Sequence, residues 1–291
     1  MKTSESLLSA LIAALLLLPS VQSSAQSDRY KVAACDWMML KRQKLGEFEL
    51  ARRVGLDGVE LDMGSLGNRE MFDSQLRDRD AQERFLAESA RHDMPVCAVA
   101  MSGFYAQDFA VRRTWRELVE DCLNTCALFG AKVAYLPLGG VKGDWKKSGI
   151  DRDVLCSRLH EAGEMAAARG MVIGIRTTLD AGADRKLLRK IDSRGIRIDY
   201  SVQDAVEQGL DLCRDIRKLG AKNICQIHIS NTDGVTLRND PQVDMDAIKA
   251  TLDAMGWSGW LVIERSRNAD DVRNVVGNYS DNATYLKLIF Q

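Results

Sequence analysis

Short apolar runs alternate with stretches of helical period along most of this chain. The apolar runs fall at residues 30–35, 58–61, 95–100, 131–137, 171–176, 196–201, 224–230 and 260–264. Each is too short for a helix and rich enough in Val, Ile, Leu and Ala for a buried strand. Helical periodicity fills the gaps at 48–54, 81–92, 111–129, 151–169, 184–191, 205–219, 245–255 and 269–290. Several helical stretches close on a glycine, among them Gly130, Gly170, Gly220 and Gly256. A helix, a glycine and then a short buried run is the mark of repeated βα units joined by right-handed crossovers. Eight such units predict an α/β fold, a closed (β/α)8 TIM barrel, rather than an open sheet. No GxGxxG follows the first strand, so a dinucleotide fold finds no support.

Several strands end on a polar residue, which places a site at their carboxyl edge. Side chains alternate along a strand, so residues two apart share a face. Glu264 then shares a face with Val262 and Trp260, His228 with Gln226, Arg176 with Gly174, and Ser201 with Asp199. The candidates for the barrel mouth are Glu60 or Asp62, Arg176, Asp199, Ser201, His228 and Glu264. The longest strand-to-helix loops are 63–80, 138–150 and 231–243, and they carry Lys142, Trp145, Lys146, Lys147, Asp233, Arg238 and Asp240. Trp37, after the first strand, and Trp145 offer flat faces for sugar C–H groups, though packing explains such residues equally well.

The N-terminus is set apart from this pattern. Lys2, an apolar run at 7–18, Pro19-Ser20 and then Ser23-Ser24-Ala25 read as a secretory signal over residues 1–25. The run is short for a membrane span, with an uncleaved anchor as the alternative. Residues 26–291 form one domain of about 265 residues, the usual size of one barrel. The mature protein is expected in the periplasm or secreted, with no membrane attachment. Formal charge is −1, which opposes a nucleic-acid surface. The seven cysteines show no CxxC spacing and read as buried thiols. Asn278 and Asn282 begin glycosylation sequons within the last helical stretch.

GLDGVELD (55–62), IHISNTDG (227–234) and AMGWSGWLVIE (254–264) resemble the sugar phosphate isomerase/epimerase family, which has a xylose isomerase-like TIM barrel. The motifs fall on the second, seventh and eighth strands in the family's order. The resemblance implies one divalent ion (manganese, magnesium, zinc or cobalt) held by Glu, Asp, His and Glu on strands five to eight. It also implies that the two Glu move protons beside a sugar carbonyl. Carried over by position, His228 and Glu264 match the last two ligands. Arg176 stands where the fifth-strand Glu is expected, and Ser201 where the Asp is expected, with Asp199 or Asp204 as substitutes if the frame slips.

Arginine offers only donors and stays charged, so it repels a divalent cation. Arg176 is therefore expected to take the metal's place, pairing with Glu264 or a substrate oxyanion. The alternative is that a local bulge turns it outward and other residues keep a metal. The cofactor expectation is accordingly none, or one divalent metal held in part by His228 and Glu264. The leading reading is an exported isomerase or epimerase acting on a small carbohydrate, with Glu264 as base, Arg176 as oxyanion stabiliser and His228 as orienting group. A homo-oligomer is compatible with this reading. A catalytically silent sugar-binding barrel is the rival. A barrel endonuclease needs a His-rich zinc site, and the chain has three His, of which His92 and His160 lie in helical stretches.

Overall fold

The computed structural model describes residues 29–106, 108–138, 151–230 and 234–291. The 1–25 signal and the loop residues Lys142, Trp145, Lys146, Lys147 and Asp233 lie outside them. The strands are β1 (Tyr30–Cys35), β2 (Gly58–Asp62), β3 (Val96–Ala100), β4 (Val133–Pro137), β5 (Val172–Arg176), β6 (Ile196–Ser201), β7 (Ile224–Ile229) and β8 (Gly259–Ile263). They close into a barrel in sequence order. Closure is direct, since β1 pairs in parallel with both β2 and β8.

The helices are α1 (Asp36–Met39), α2 (Gly46–Arg53), α3 (Arg79–His92), α4 (Trp115–Phe129), α5 (Arg152–Ala167), α6 (Ala181–Ile191), α7 (Val202–Glu207), α8 (Leu212–Leu219), α9 (Met245–Ala254) and α10 (Val275–Phe290). Local chemistry sets their ends. Asp78, Asp151, Asp180, Asp211 and Asp244 each cap a helix by accepting from a first-turn N–H. Gly130 ends α4 at φ 73°, a left-handed conformation that costs glycine little. The pattern at 205–219 is not one helix. Gly209, at φ 67°, interrupts it, and Asp211 starts a second helix. Likewise the last helix begins at Val275, capped by Asn274, not at residue 269.

The larger core lies between strands and helices and takes Val59, Leu61, Ile173, Ile175, Ile227, Ile229, Leu261 and Ile263. The barrel interior holds a second cluster of small residues, Ala33, Cys35, Cys97, Ala98, Val133 and Val262. Above it the inward faces turn polar, and that change of layer creates the site. All seven cysteines are free thiols. Among the described residues no helix is long and apolar enough to cross a membrane. Both sequon asparagines are buried in α10 and used structurally: Asn278 donates to the Asp271 carbonyl at 2.9 Å and Asn282 to the Ser266 carbonyl at 2.7 Å.

Candidate active site

Two buried ionic groups occupy the polar layer. The first is built around Arg176, the last residue of β5. Its Nε and Nη2 donate to both oxygens of Asp204, at 2.7 and 2.6 Å. Its Nη1 donates to Glu264 Oε2 at 2.9 Å and to the Tyr105 hydroxyl at 2.8 Å. Glu264 follows β8, and its second oxygen accepts from Tyr105 at 3.0 Å. Tyr135, on β4, lies 2.5 Å from Tyr105, hydroxyl to hydroxyl. A hydroxyl carries one proton, so the chain of donation runs Tyr135 to Tyr105 to Glu264. Arg176 uses four of its five N–H groups this way and leaves one, on Nη2, for a substrate oxygen.

Arg176 is 8% exposed and Glu264 5%, so their attraction acts with little screening from water. Burial pushes the Glu264 carboxyl up. The Arg176 guanidinium, His228 and the Tyr105 hydroxyl together outweigh it and hold the group below the ordinary carboxylate value. Burial pushes the Tyr105 hydroxyl well above its ordinary value, against the pull of Arg176. The backbone beyond both strand ends is strained. Thr178 and Ser266, each two residues past a site residue, have φ of 55° and 101°. Tyr279 of α10 donates to the Glu264 carbonyl at 3.0 Å and so fixes the end of β8.

The second group is fully enclosed. His228 on β7 puts Nε2 2.6 Å from Glu60 Oε2, and its Nδ1 lies 3.5 Å from Asp199 Oδ1. The longer contact is electrostatic, since neither atom has a hydrogen-bond partner. Gln226 bridges the same carboxylates, donating to Glu60 at 3.2 Å and to Asp199 at 3.1 Å. Burial works against charge on His228, but Asp199 and Glu60 overcome it and push the imidazole up to about 9. Burial, moderated by His228, raises Asp199 to about 8. The Tyr135 ring packs edge-on to the imidazole, with centroids 4.6 Å apart, and joins the two groups.

Sequence details place these side chains. The β2–β3 register shifts between Val59 and Glu60, and the β6–β7 register between Ile198 and Asp199. Such irregularities re-aim the residue beside them, here the two carboxylates that flank His228. Gly174, below Arg176, leaves room for a neighbour. A Cβ there would lie 2.7 Å from Cys225 Sγ and 3.3 Å from Asp199 Cβ.

Of the sequence candidates, Glu60, Arg176, Asp199, His228 and Glu264 converge. Asp62 does not. It accepts from Arg42 at 2.8 Å and from the Gly64 N–H at 2.7 Å, on the α1 side of β2. Burial raises its carboxyl to about 6. Ser201 accepts from the Asp204 N–H at 3.2 Å and so starts α7, which carries Asp204 to Arg176. Trp37 is half-buried and packs on the small-residue cluster inside the barrel. Three participants were not singled out from the sequence, namely Tyr105, Tyr135 and Asp204 in its role as partner of Arg176. Tyr135 is two residues beyond the inward Val133 and was open to the same alternation argument. Tyr105 comes from a 3-10 turn after β3 (Ser102–Ala106), where no periodicity marks it.

A four-ligand divalent site does not fit these residues. The ligand positions on β5 and β6 hold a guanidinium and a helix-capping hydroxyl. Both His228 nitrogens face carboxylates, and both Glu264 oxygens accept from Arg176 or Tyr105. Among the described residues no group of three or more His, Cys, Asp or Glu is arranged to hold a metal. A divalent ion beside Arg176 would also meet a permanent positive charge at close range.

The family model described as xylose isomerase-like TIM barrel matches residues 48–287. No curated protein matches the chain by sequence. Solved structures share its fold at low identity. A 3-keto-D-glucoside 4-epimerase from E. coli superposes with a TM-score of 0.69 at 16% identity, covering 89% of this chain and 99% of its own. An L-ribulose 3-epimerase gives 0.70 at 14% identity, over 90% of this chain and 94% of its own. A D-psicose 3-epimerase from Clostridium cellulolyticum H10 gives 0.67 at 12% identity, over 90% and 99%.

Proposed function

Because the chain belongs to the xylose isomerase-like TIM barrel family, we propose that it is an isomerase or epimerase of a small carbohydrate or keto-sugar. In this reading a protein cation does the work that the family assigns to a divalent ion. The observation that carries it is the convergence at one strand edge of a carboxylate, a hydroxyl and a guanidinium, Glu264, Tyr105 and Arg176, within 3.0 Å of one another. The three similar structures, all named as sugar epimerases, support the substrate class. Export to the periplasm or beyond, through residues 1–25, is part of the same proposal.

The chemistry balances without another reagent. Glu264 takes a proton from the carbon beside a carbonyl, and the C–H electrons move onto the carbonyl oxygen. The free Nη2 hydrogen of Arg176 stabilises that oxyanion in a water-poor pocket. Return of the proton from Glu264 restores substrate. Delivery of that proton to the former carbonyl carbon from the same face, while the hydroxyl proton of the enediolate moves to the other oxygen, gives the isomer and leaves Glu264 ionised for the next turnover. Tyr105, which donates to Glu264 at 3.0 Å, holds the carboxylate in place. His228, enclosed with Glu60 and Asp199, supports the Tyr135 ring from behind.

The test is incorporation of solvent deuterium into a panel of ketohexoses and 3-keto-glucosides. Exchange at a carbon next to the carbonyl, lost in Glu264→Gln, supports the enzyme. A silent binding barrel is favoured by one observation, that Glu264 is held as a weak base by its ion pair with Arg176. Sugar binding with no exchange in any member of the panel would establish that second reading.

A further inference from the structure

A groove of about 550 Å³ opens at the opposite end of the barrel from the site, where β6 and β7 begin and α6 ends. Arg185, Arg189, Arg194, Arg197 and Lys222 line it, with Asp192 as the one acid. Within a chain of net charge −1 this is a concentrated positive field. Arg189, Arg194, Arg197 and Lys222 form no ion pair among the described residues, whereas Arg176 meets two carboxylates. Arg185 donates to the Lys218 carbonyl at 3.1 Å. Five like charges gathered with one counter-charge repel one another and lower stability, so a bound anion would relieve them.

We propose that this groove binds an anionic oligosaccharide with carboxylate or sulfate groups on successive sugars. The volume lies in the range of small-molecule sites. The cations come from three places, α6, the 192–197 segment and the turn before β7, so they match charges spaced along a chain. Four of the five cations are arginines, whose planar forks pair bidentately with carboxylate and sulfate. Leu188, half-buried, offers aliphatic surface for sugar C–H groups, while Ser193 and Asn223 offer hydroxyl and amide partners. No aromatic side chain lines the groove, which removes the stacking platform of a single-stranded nucleic-acid site. The proposal does not depend on the epimerase reading, and its site lies at the other end of the barrel. Binding there leaves the mouth of the barrel free, so the protein would hold a polyanionic carbohydrate while acting on a smaller sugar.

The test is calorimetric titration of the full chain with tetragalacturonate, with neutral maltotetraose and with inorganic phosphate. Tetragalacturonate is expected to bind, and to bind more weakly as salt rises. The double variant Arg189→Ala with Arg194→Ala is expected to lose about tenfold in affinity. Arg79→Ala, on α3 with 88% of its side chain exposed, is the control and should bind as the parent does. Thermal melting of both variants checks folding, and neither should melt below the parent. Any one of four results would overturn the proposal: no binding of tetragalacturonate at low salt, equal binding of maltotetraose, equal affinity for phosphate, or undiminished affinity in the double variant.

Discussion

Among the described residues the polar layer at the barrel mouth holds two buried cations, and they differ in kind. Arg176 sits at the strand ends among Asp204, Glu264 and Tyr105, is 8% exposed and keeps its charge at any working pH. His228 lies between Glu60 and Asp199, is fully enclosed, and owes its charge to those carboxylates. One is a permanent charge at the edge of the pocket with a donor to spare. The other is a titratable charge with one nitrogen hydrogen-bonded to Glu60 and the other facing Asp199. A pocket needs the first kind where an oxyanion forms, because its field does not vanish when a proton moves. The second kind suits a support, since a buried imidazolium between two carboxylates fixes the walls around it.

The sharpest way to break this contrast is to remove the permanent cation. Arg176→Met leaves Asp204 and Glu264 without their partner and should cost about 3–5 kcal/mol in denaturant unfolding. A loss under about 1 kcal/mol would show that the pairs are solvated and not the hub described here.

Titration of the enclosed cation comes next. Its folded-state pKa of about 9 lies above the ordinary value of 6.5, so the stability it contributes is complete below pH 6.5 and is lost as pH rises through about 9. Asp199, raised from 3.8 to about 8, acts in the same direction, with its loss spread from about pH 4 to about pH 8. The His228 part is on the order of 3 kcal/mol. Glu264, held below its ordinary value, acts the other way, and its contribution is lost on the acid side. Melting should therefore weaken from neutral pH through about 9, and the His228 ring protons should titrate near 9 in NMR spectra. A ring that titrates at the ordinary value would contradict the enclosed ion pair.

The smallest effect belongs to the link between the two groups. Tyr105→Phe removes hydrogen bonds to Arg176 and Glu264 and should cost about 1–2 kcal/mol. Its kinetic signature is more telling. Deuterium exchange and product formation should fall together, by about 10²-fold, because both need Glu264 held in place. If exchange persists while product formation falls, Tyr105 moves a proton itself and does not act by positioning Glu264.

The fold was legible because a closed parallel barrel repeats one pattern, and each strand boundary fell within two residues of its apolar run. Helix detail was less so. A period of 3.6 residues continues across Gly209, and only the left-handed turn there shows that the chain breaks. Strand alternation also grouped Gln226 with His228, Gly174 with Arg176 and Asp199 with Ser201. It left Glu60 and Asp62 tied, because both lie on one face. Depth along β2 separates them: Glu60 meets His228 inside the barrel, while Asp62, at the end of the strand, goes to Arg42. Tyr105 could not be read at all, since a residue in a 3-10 turn owes its direction to tertiary packing.

Elemental analysis of the purified chain, without added chelator, is the most direct test of the claim that Arg176 fills the seat of the metal. No stoichiometric divalent ion should be present, and titration with manganese, magnesium, zinc or cobalt should give no saturable binding at the barrel mouth. One tightly held ion per chain, lost together with deuterium exchange on chelation, would contradict it.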